Sequence, residues 1–269
     1  MKISGWSLIR LYTILIYVFM FTPIVAVVIL SFNPQQFGSF PMEGFSFRWY
    51  VKLAQNHTIL GAFKNSLILG TLTSIAVTAI GIPAAMAFVR YNFPGKNTLN
   101  TLLLTPIMIP EVVLGVALLL FIRWLQQPKS FLLLLIGHVV LTLPYVLLVV
   151  QARLVGIKIE YEEAAQTLGA NPLQTFKEVT LPLLAPAILA GMLFSFTISF
   201  DDVTATLFWA TASNQTVPVK IFGMLRNSIS PEINALGTVM IVLTISIPLL
   251  AGYLSRKFAR GGGSGKQKA

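Results

Sequence analysis

The run from Leu11 to Phe32 contains no charged side chain, and five further apolar stretches follow it, at about 65–89, 98–122, 131–152, 183–208 and 234–254. Each is close to the roughly 20 residues that a helix needs to cross about 30 Å of hydrocarbon. In lipid every backbone N–H and C=O must find its partner within the protein, which leaves helices and closed barrels as the spanning structures. Barrel strands run to about ten residues and alternate apolar with polar side chains, a pattern these stretches lack. The expected fold is therefore an all-α polytopic membrane protein with six transmembrane helices. Lys2 and Arg10 precede the first stretch as they would in a secretory signal. Its uncharged core exceeds the roughly 7 to 15 residues of such a signal, so it reads as a retained helix.

An even number of spans puts both termini on one side, and the distribution of Lys and Arg decides which side that is. The terminal side carries 12 of the 19, among them Lys2, Arg90, Arg153 and Lys177, and the opposite side 7. Both termini are expected in the cytoplasm of a multi-pass chain, with one transmembrane domain over 1–260. The tail 261–269 is Gly, Ser and Lys, flexible by composition and equally consistent with a cloning scar. Ahead of the last span, Ser230, Pro231 and Glu232 form a helix start: a hydroxyl cap, a proline at the first position and an acid at the positive end of the dipole.

Composition also removes whole classes of function. There is no cysteine, so thiolate metal sites and cysteine nucleophiles are absent, and the two histidines, His57 and His138, are too isolated for a metal cluster. His57 reads as solvated and His138 as a packed helix–helix contact rather than a proton relay. The net charge of +10 is spread beside the apolar runs; it forms no basic patch with interleaved aromatics, so nucleic acid is not an expected partner. Gly265 and Lys266 resemble the end of a phosphate loop, but Arg260 stands at the first glycine position, Gln267 at the hydroxyl position, and no strand precedes them. With no Ser/His/Asp constellation either, an independent enzyme is not expected.

The segment Arg153 to Pro182, between spans four and five, holds seven charged side chains and lies outside the membrane. Glu160, Glu162 and Glu163 precede Ala164, Ala165 and Leu168, which places acids in the first turn of a short helix. Gly169 stops that helix. Asn171 and Pro172 open a second one as cap and first residue, with Leu173, Phe176 and Val179 along one face, and Leu181 and Pro182 end it at the membrane. Two helices joined by a glycine turn make a compact knob, which as far as helix signals go is a structured connector.

The spacing says more. Glu163, Ala164 and Ala165, then three residues, Gly169, nine residues, Val179, one residue, Leu181 and Pro182 resemble the EAA loop of the permease subunits of binding-protein-dependent ABC importers. The resemblance implies a type I ABC importer permease fold and a coupling role for Glu163, Ala164, Ala165, Gly169, Ala170, Leu181 and Pro182. These would seat in a cleft of a separate ATPase, with Glu163 paired to a cation there. It further implies a second homologous permease subunit, two ATP-binding cassette ATPase subunits that carry ATP and Mg, and an extracytoplasmic solute-binding protein. The location implied is a bacterial inner membrane, and this chain would bind no cofactor.

Three acids interrupt the apolar spans: Glu111 in the third, Asp201 and Asp202 in the fifth. A carboxylate at mid-bilayer costs about 2.5 to 3.5 kcal/mol on insertion scales, so it faces a cavity or a partner. At about 1.5 Å per residue, unbroken helices would place Glu111 about 21 Å and Asp201 about 28 Å above the cytoplasmic ends. Pro106 and Pro110 would free the carbonyls of Leu102 and Pro106, and freed carbonyls beside carboxylates suit an ammonium group. Phe200, Phe208 and Trp209 would add cation–π contact, with the Ser199 and Thr204 hydroxyls nearby. The alternative is that the acids pair with arginines of a neighbouring subunit. The stretches Pro110 to Gly115, Ser199 to Val203 and Val217 to Leu236 resemble spermidine/putrescine permeases of the second-subunit type. That likeness implies polyamine import by alternating access, with opines and other amine-containing solutes as neighbouring possibilities. An ion-gradient-driven transporter, with the acids as proton or sodium sites, is the rival class.

Overall fold

The computed structural model describes residues 5–36, 41–227 and 231–261. Among them the chain is helical throughout: α1 (Gly5–Leu30), α2 (Arg48–Gln55), α3 (His57–Arg90), α4 (Lys96–Leu104), α5 (Glu111–Trp124) and α6 (Phe131–Val155) are followed by α7 (Glu160–Thr167), α8 (Pro172–Thr175), α9 (Leu181–Asp201), α10 (Thr204–Trp209), α11 (Val217–Asn227) and α12 (Pro231–Gly261). Five stretches are long and apolar enough to cross a membrane, Leu8–Leu30, His57–Arg90, Phe131–Val155, Pro172–Asp201 and Pro231–Leu250. The sixth expected span is a broken one. Lys96–Met108 and Glu111–Trp124 meet at 111°.

The break has a local cause. Ile109 is extended, with φ −89° and ψ 131°, as the ring of a following proline demands. Pro110 then leads into α5, and Glu111 sits in its first turn. The straight-helix depth for Glu111 therefore does not hold. Nor is the carbonyl of Leu102 freed: a 3₁₀ turn over Thr105–Met108 tightens the end of α4, and the N–H of Thr105 donates to Leu102.

The fifth span departs from expectation at both ends. Leu181 and Pro182 do not end the second loop helix, because α8, a π turn over Phe176–Thr180 and α9 run on as one rod. Pro182 has no N–H to give the carbonyl of Glu178, and its ring would crowd that carbonyl in a regular α-turn. The wider π turn, in which the N–H of Leu181 reaches Phe176, relieves the crowding. At the other end the helix stops at Asp201, not near residue 208, and the chain resumes as α10 after an extended Asp202.

The contacts divide the chain into two compact units, Met1–Gly61 with Lys220–Ile245, and Ala62–Val219 with Ser246–Ala269. In the first, the end of α1 and the segment before α2 close through side chains. Trp49 Nε1 donates to the carbonyl of Asn33 at 2.7 Å, Ser31 Oγ meets the Tyr50 hydroxyl at 2.6 Å, and Phe32 packs on Phe45, Phe47 and Tyr50. Glu232, in the first turn of α12, pairs with Lys52 at 2.6 Å. The expected cap Ser230 lies outside the described residues, as do 262–269 of the tail.

The second unit holds the core. α6 is the most buried span, flanked by α9, and Val77, Val146, Leu147, Val150, Leu154 and Leu184 make a fully buried cluster where α3, α6 and α9 meet. A second cluster joins Leu69, Leu134, Ala205 and Trp209, so the short α10 is buried against the spans. Such helix packing in lipid is driven by close van der Waals fit and by interhelical hydrogen bonds, since apolar tails offer no hydrophobic gain between helices.

Candidate functional site

Two regions carry the chemistry, the loop over 153–182 and the pair of helix breaks. In the loop, acids at Glu160, Glu162 and Glu163 occupy the first turn of α7. Its end is fixed by Gly169 at φ +94°, where the Ala170 N–H bonds to the carbonyl of Ala165 at 3.0 Å and the Gly169 N–H to that of Gln166 at 2.9 Å. This is the paired closure that a left-handed glycine allows. Two residues later Asn171 Oδ1 accepts from the Gln174 N–H, and Gln174 Oε1 accepts from the Asn171 N–H, both at 2.9 Å. The expected cap is thus a reciprocal capping box.

The motif residues converge in space. Ala164, Ala165, Val179 and Pro182 line one open groove of about 520 Å³ together with Tyr161 and Leu168. Leu181 does not join them; it turns into a separate cavity beside Ile82, Pro83, Met86 and Phe176. Leu173 is off the packed face as well, 61% exposed, because the π turn shifts the register after α8. Glu163, Ala164 and Gly169 are exposed, and Ala170 half-buried.

Two residues outside the motif hold the knob in place. Arg90, the last residue of α3, donates from Nη2 and Nε to Glu162 Oε1 at 3.1 and 3.2 Å, and from Nη2 to the carbonyl of Ile157 at 2.9 Å. Both side chains are nearly covered, at 10% and 13% exposure. Acids in a first turn draw attention as dipole partners, which hides the fact that one of them is an anchor.

At the breaks the carboxylates separate into two kinds. Glu111 and Asp201 are exposed, whereas Asp202 is buried. Asp202 accepts from the N–H groups of Ala205 and Thr206 at 3.3 and 2.8 Å and from Thr206 Oγ1 at 2.6 Å. Its charge is thereby used on the first turn of α10, where it complements the helix dipole. Ser199, Phe200 and Trp209 are buried too. Phe200 stacks on Phe196 at 5.4 Å, and Trp209 Nε1 donates to the carbonyl of Gly115 at 2.8 Å. The expected cation–π role of Phe200 and Trp209 is not available from these positions; both rings are interior packing.

What binds α10 is a set of polar groups drawn from three spans. His138, fully buried on α6, meets Ser199 Oγ with Nδ1 at 2.8 Å and Thr206 Oγ1 with Nε2 at 3.0 Å. Ser199 reaches Thr73 on α3 at 3.4 Å, and Ser195 donates to Thr142, which donates to the carbonyl of His138. One residue before His138, Gly137 has no room for a side chain, since a Cβ there would collide with the indole of Trp209. The reading of His138 as a packed contact was therefore incomplete. The available signal was the four-residue spacing of Ser195 with Ser199, His138 with Thr142, and Asp202 with Thr206 inside apolar runs. Among the described residues no group of three or more His, Asp or Glu side chains is arranged to hold a metal ion.

The profile of the family described as "Binding-protein-dependent transport system inner membrane component" matches residues 77–260. The spermidine/putrescine transport system permease protein PotC of Haemophilus influenzae is 34% identical over 254 residues, covering 94% of this chain and 98% of that protein. The putrescine transport system permease protein PotI of Escherichia coli K12 is 32% identical over 259 residues, covering 93% and 91%. Among solved structures, a bacterial ABC transporter involved in alginate import superimposes with a TM-score of 0.78 at 17% identity, over 95% of this chain and 96% of that one. The bacterial alginate transporter in complex with its pentasaccharide-bound periplasmic protein gives 0.72 at 16% identity, over 94% of each chain. The fold is that of type I ABC importer permeases. This chain belongs to the family of inner membrane components of binding-protein-dependent transport systems, and is a multi-pass permease subunit of an ABC importer rather than an enzyme.

Proposed function

We propose that the chain forms half of the route by which an ATP-driven importer carries a polyamine such as spermidine or putrescine across a bacterial inner membrane. A second homologous permease completes the route, two ATPase subunits dock on the loop over 153–182, and an extracytoplasmic binding protein delivers the cargo. Both termini lie in the cytoplasm with the loop. ATP and its Mg²⁺ sit on the ATPase subunits, and this chain binds no cofactor.

The observation that carries the reading is the loop itself. Its backbone ends are closed by Gly169 and the Asn171 capping box, its base is held by Arg90, and yet Glu163, Ala164 and Gly169 stay exposed beside an open apolar groove. A surface whose helix ends are closed and whose motif residues are exposed suits a partner that pushes on it. Closure of the ATPase pair would move the knob and, through the continuous rod of α8 and α9, rock the spans between outward- and inward-facing states.

Support for a cationic cargo comes from two sides. The relatives at 34% and 32% identity are polyamine permeases. In this chain Glu111 and Asp201 are carboxylates exposed at two helix breaks in otherwise apolar spans, and an acid at such a position marks a pathway. Asp202, Ser199, Phe200 and Trp209 support the route from behind. The test is spermidine uptake by complexes carrying Glu111→Gln and Asp201→Asn. Loss of uptake with assembly intact is expected, and wild-type uptake by both would remove the carboxylates from the route.

A further inference from the structure

The bonding around His138 is directional. Thr206 Oγ1 has one proton, and the carboxylate of Asp202 at 2.6 Å can only accept it. The Thr206 oxygen is then left as an acceptor, so the proton between it and His138 belongs to Nε2. The imidazole is fully buried and touches no carboxylate directly, and a neutral ring is the form such a site tolerates. Its Nδ1 therefore accepts from Ser199 Oγ at 2.8 Å, a shorter bond than the 3.4 Å one in which the same proton would go to Thr73 Oγ1. Hydroxyl, imidazole, hydroxyl and carboxylate thus point one way, toward Asp202, with each ring nitrogen in its only compatible role.

This chain of bonds ends on α10, and α10 ends on α5. Trp209, the last residue of α10, gives its indole proton to Gly115 of α5 while its ring fills the space above Gly137. The Phe208 ring lies against Gly115 so closely that a Cβ there would be 2.8 Å from it. Glu111 is one helical turn before Gly115, at the start of the same short helix.

We propose that His138 is a positioning residue for translocation: as the Nε2–H tautomer it clamps α10 to α6 and α9, and α10 in turn seats α5 and so sets where Glu111 stands. The proposal rests on the reading of Glu111 as a pathway residue. It predicts that the loss of the two buried hydrogen bonds of His138, with no contact to cargo, changes the access of solutes to position 111.

The chain has no cysteine, so a Glu111→Cys substitution places its one thiol at the point in question. The assembled complex in proteoliposomes is treated with a water-soluble, positively charged methanethiosulfonate, and the mass shift of this chain is followed in time. With His138 present the thiol is labelled and spermidine slows labelling. His138→Leu is expected to change the labelling rate about fivefold or more, the size of effect that non-contacting network residues exert. His138→Gln keeps a donor toward Thr206 and returns the rate to within about twofold of the parent. An unchanged rate in His138→Leu, or equal effects of Leu and Gln, overturns the proposal. If His138→Leu does not assemble, Thr206→Val removes the acceptor together with the hydroxyl's bond to Asp202 and is compared with Asp202→Asn, which perturbs that second bond and leaves the ring its acceptor; a rate altered beyond that of Asp202→Asn supports the clamp, and one that matches it or is unaltered overturns it. Absence of labelling with His138 intact would instead overturn the reading of Glu111, and the clamp's stated function with it.

Discussion

Arg90 Nη2 lies 3.1 Å from Glu162 Oε1 and 2.9 Å from the carbonyl oxygen of Ile157, so the last residue of α3 holds both the first turn of α7 and the strand of chain leading into it. The coupling knob is therefore tied to a membrane span by a forked, nearly covered ion pair rather than by its own two linkers alone.

Hydrogen bonds to charged groups contribute about 1.5 to 3 kcal/mol each when removal strands a covered partner. Arg90→Ala and Glu162→Ala are each expected to loosen α7 and to lower substrate-stimulated ATP hydrolysis, with the membrane helices still assembled. Arg90→Lys should recover only part, because an ammonium cannot reproduce the fork that spans Glu162 and Ile157. Hydrogen exchange of α7 amides, read beside the hydrolysis rate, checks this; protection as in the wild type in both alanine variants would exclude it.

Gly169 is held at φ +94° with no heavy atom near its missing side chain, so conformation and not space is what a substitution would strain. The left-handed region costs an ordinary residue about 1 to 2 kcal/mol. Stimulated hydrolysis is expected to fall in the order Asn, Ala, Val at this position, Asn being the residue that best tolerates the conformation. A series that instead followed side-chain volume would point to direct crowding of the partner.

Asp202 and Glu111 should part company experimentally. Asp202→Ala strands the N–H groups of Ala205 and Thr206 and the Thr206 hydroxyl, a loss of about 1 to 3 kcal/mol. Lower thermal stability of the detergent-solubilised complex follows, and Asp202→Asn, which keeps one acceptor oxygen, should lose less. Glu111→Gln, at an exposed position, should leave the melting temperature unchanged. Equal melting temperatures for Asp202→Ala and the parent would mean that Asp202 is no cap.

The loop was readable from the chain because its signals are local. Gly169 and Asn171–Pro172 are each bonded within a turn of themselves, so residue type and order suffice there, whereas the tie of Glu162 to Arg90, 72 residues away, leaves no local mark. The helix breaks were not. A hydropathy window averages across Ile109–Pro110 and Asp202–Val203, and what ties α10 to α6 is a histidine whose two partners lie 61 and 68 residues away. Pro106 misled in a different manner: it does remove a donor, but the Thr105 N–H takes up the Leu102 carbonyl by tightening to a 3₁₀ turn. The spans' existence is a matter of composition, which any window reads. Which of the three acids is buried and which are exposed depends on Asp202 finding donors on α10, and that is decided by tertiary structure.

Polyamine movement on energy delivered through the loop over 153–182 is the function proposed for this permease. Its most direct measurement is labelled spermidine uptake into proteoliposomes that contain the full complex, with the binding protein outside and ATP inside, for the parent and for Glu163→Arg. Uptake by the parent is expected to require ATP and to be indifferent to an uncoupler, and to be lost in Glu163→Arg with the complex still assembled. Uptake that proceeds without ATP and collapses with the uncoupler, or full ATP-driven uptake by Glu163→Arg, would contradict it.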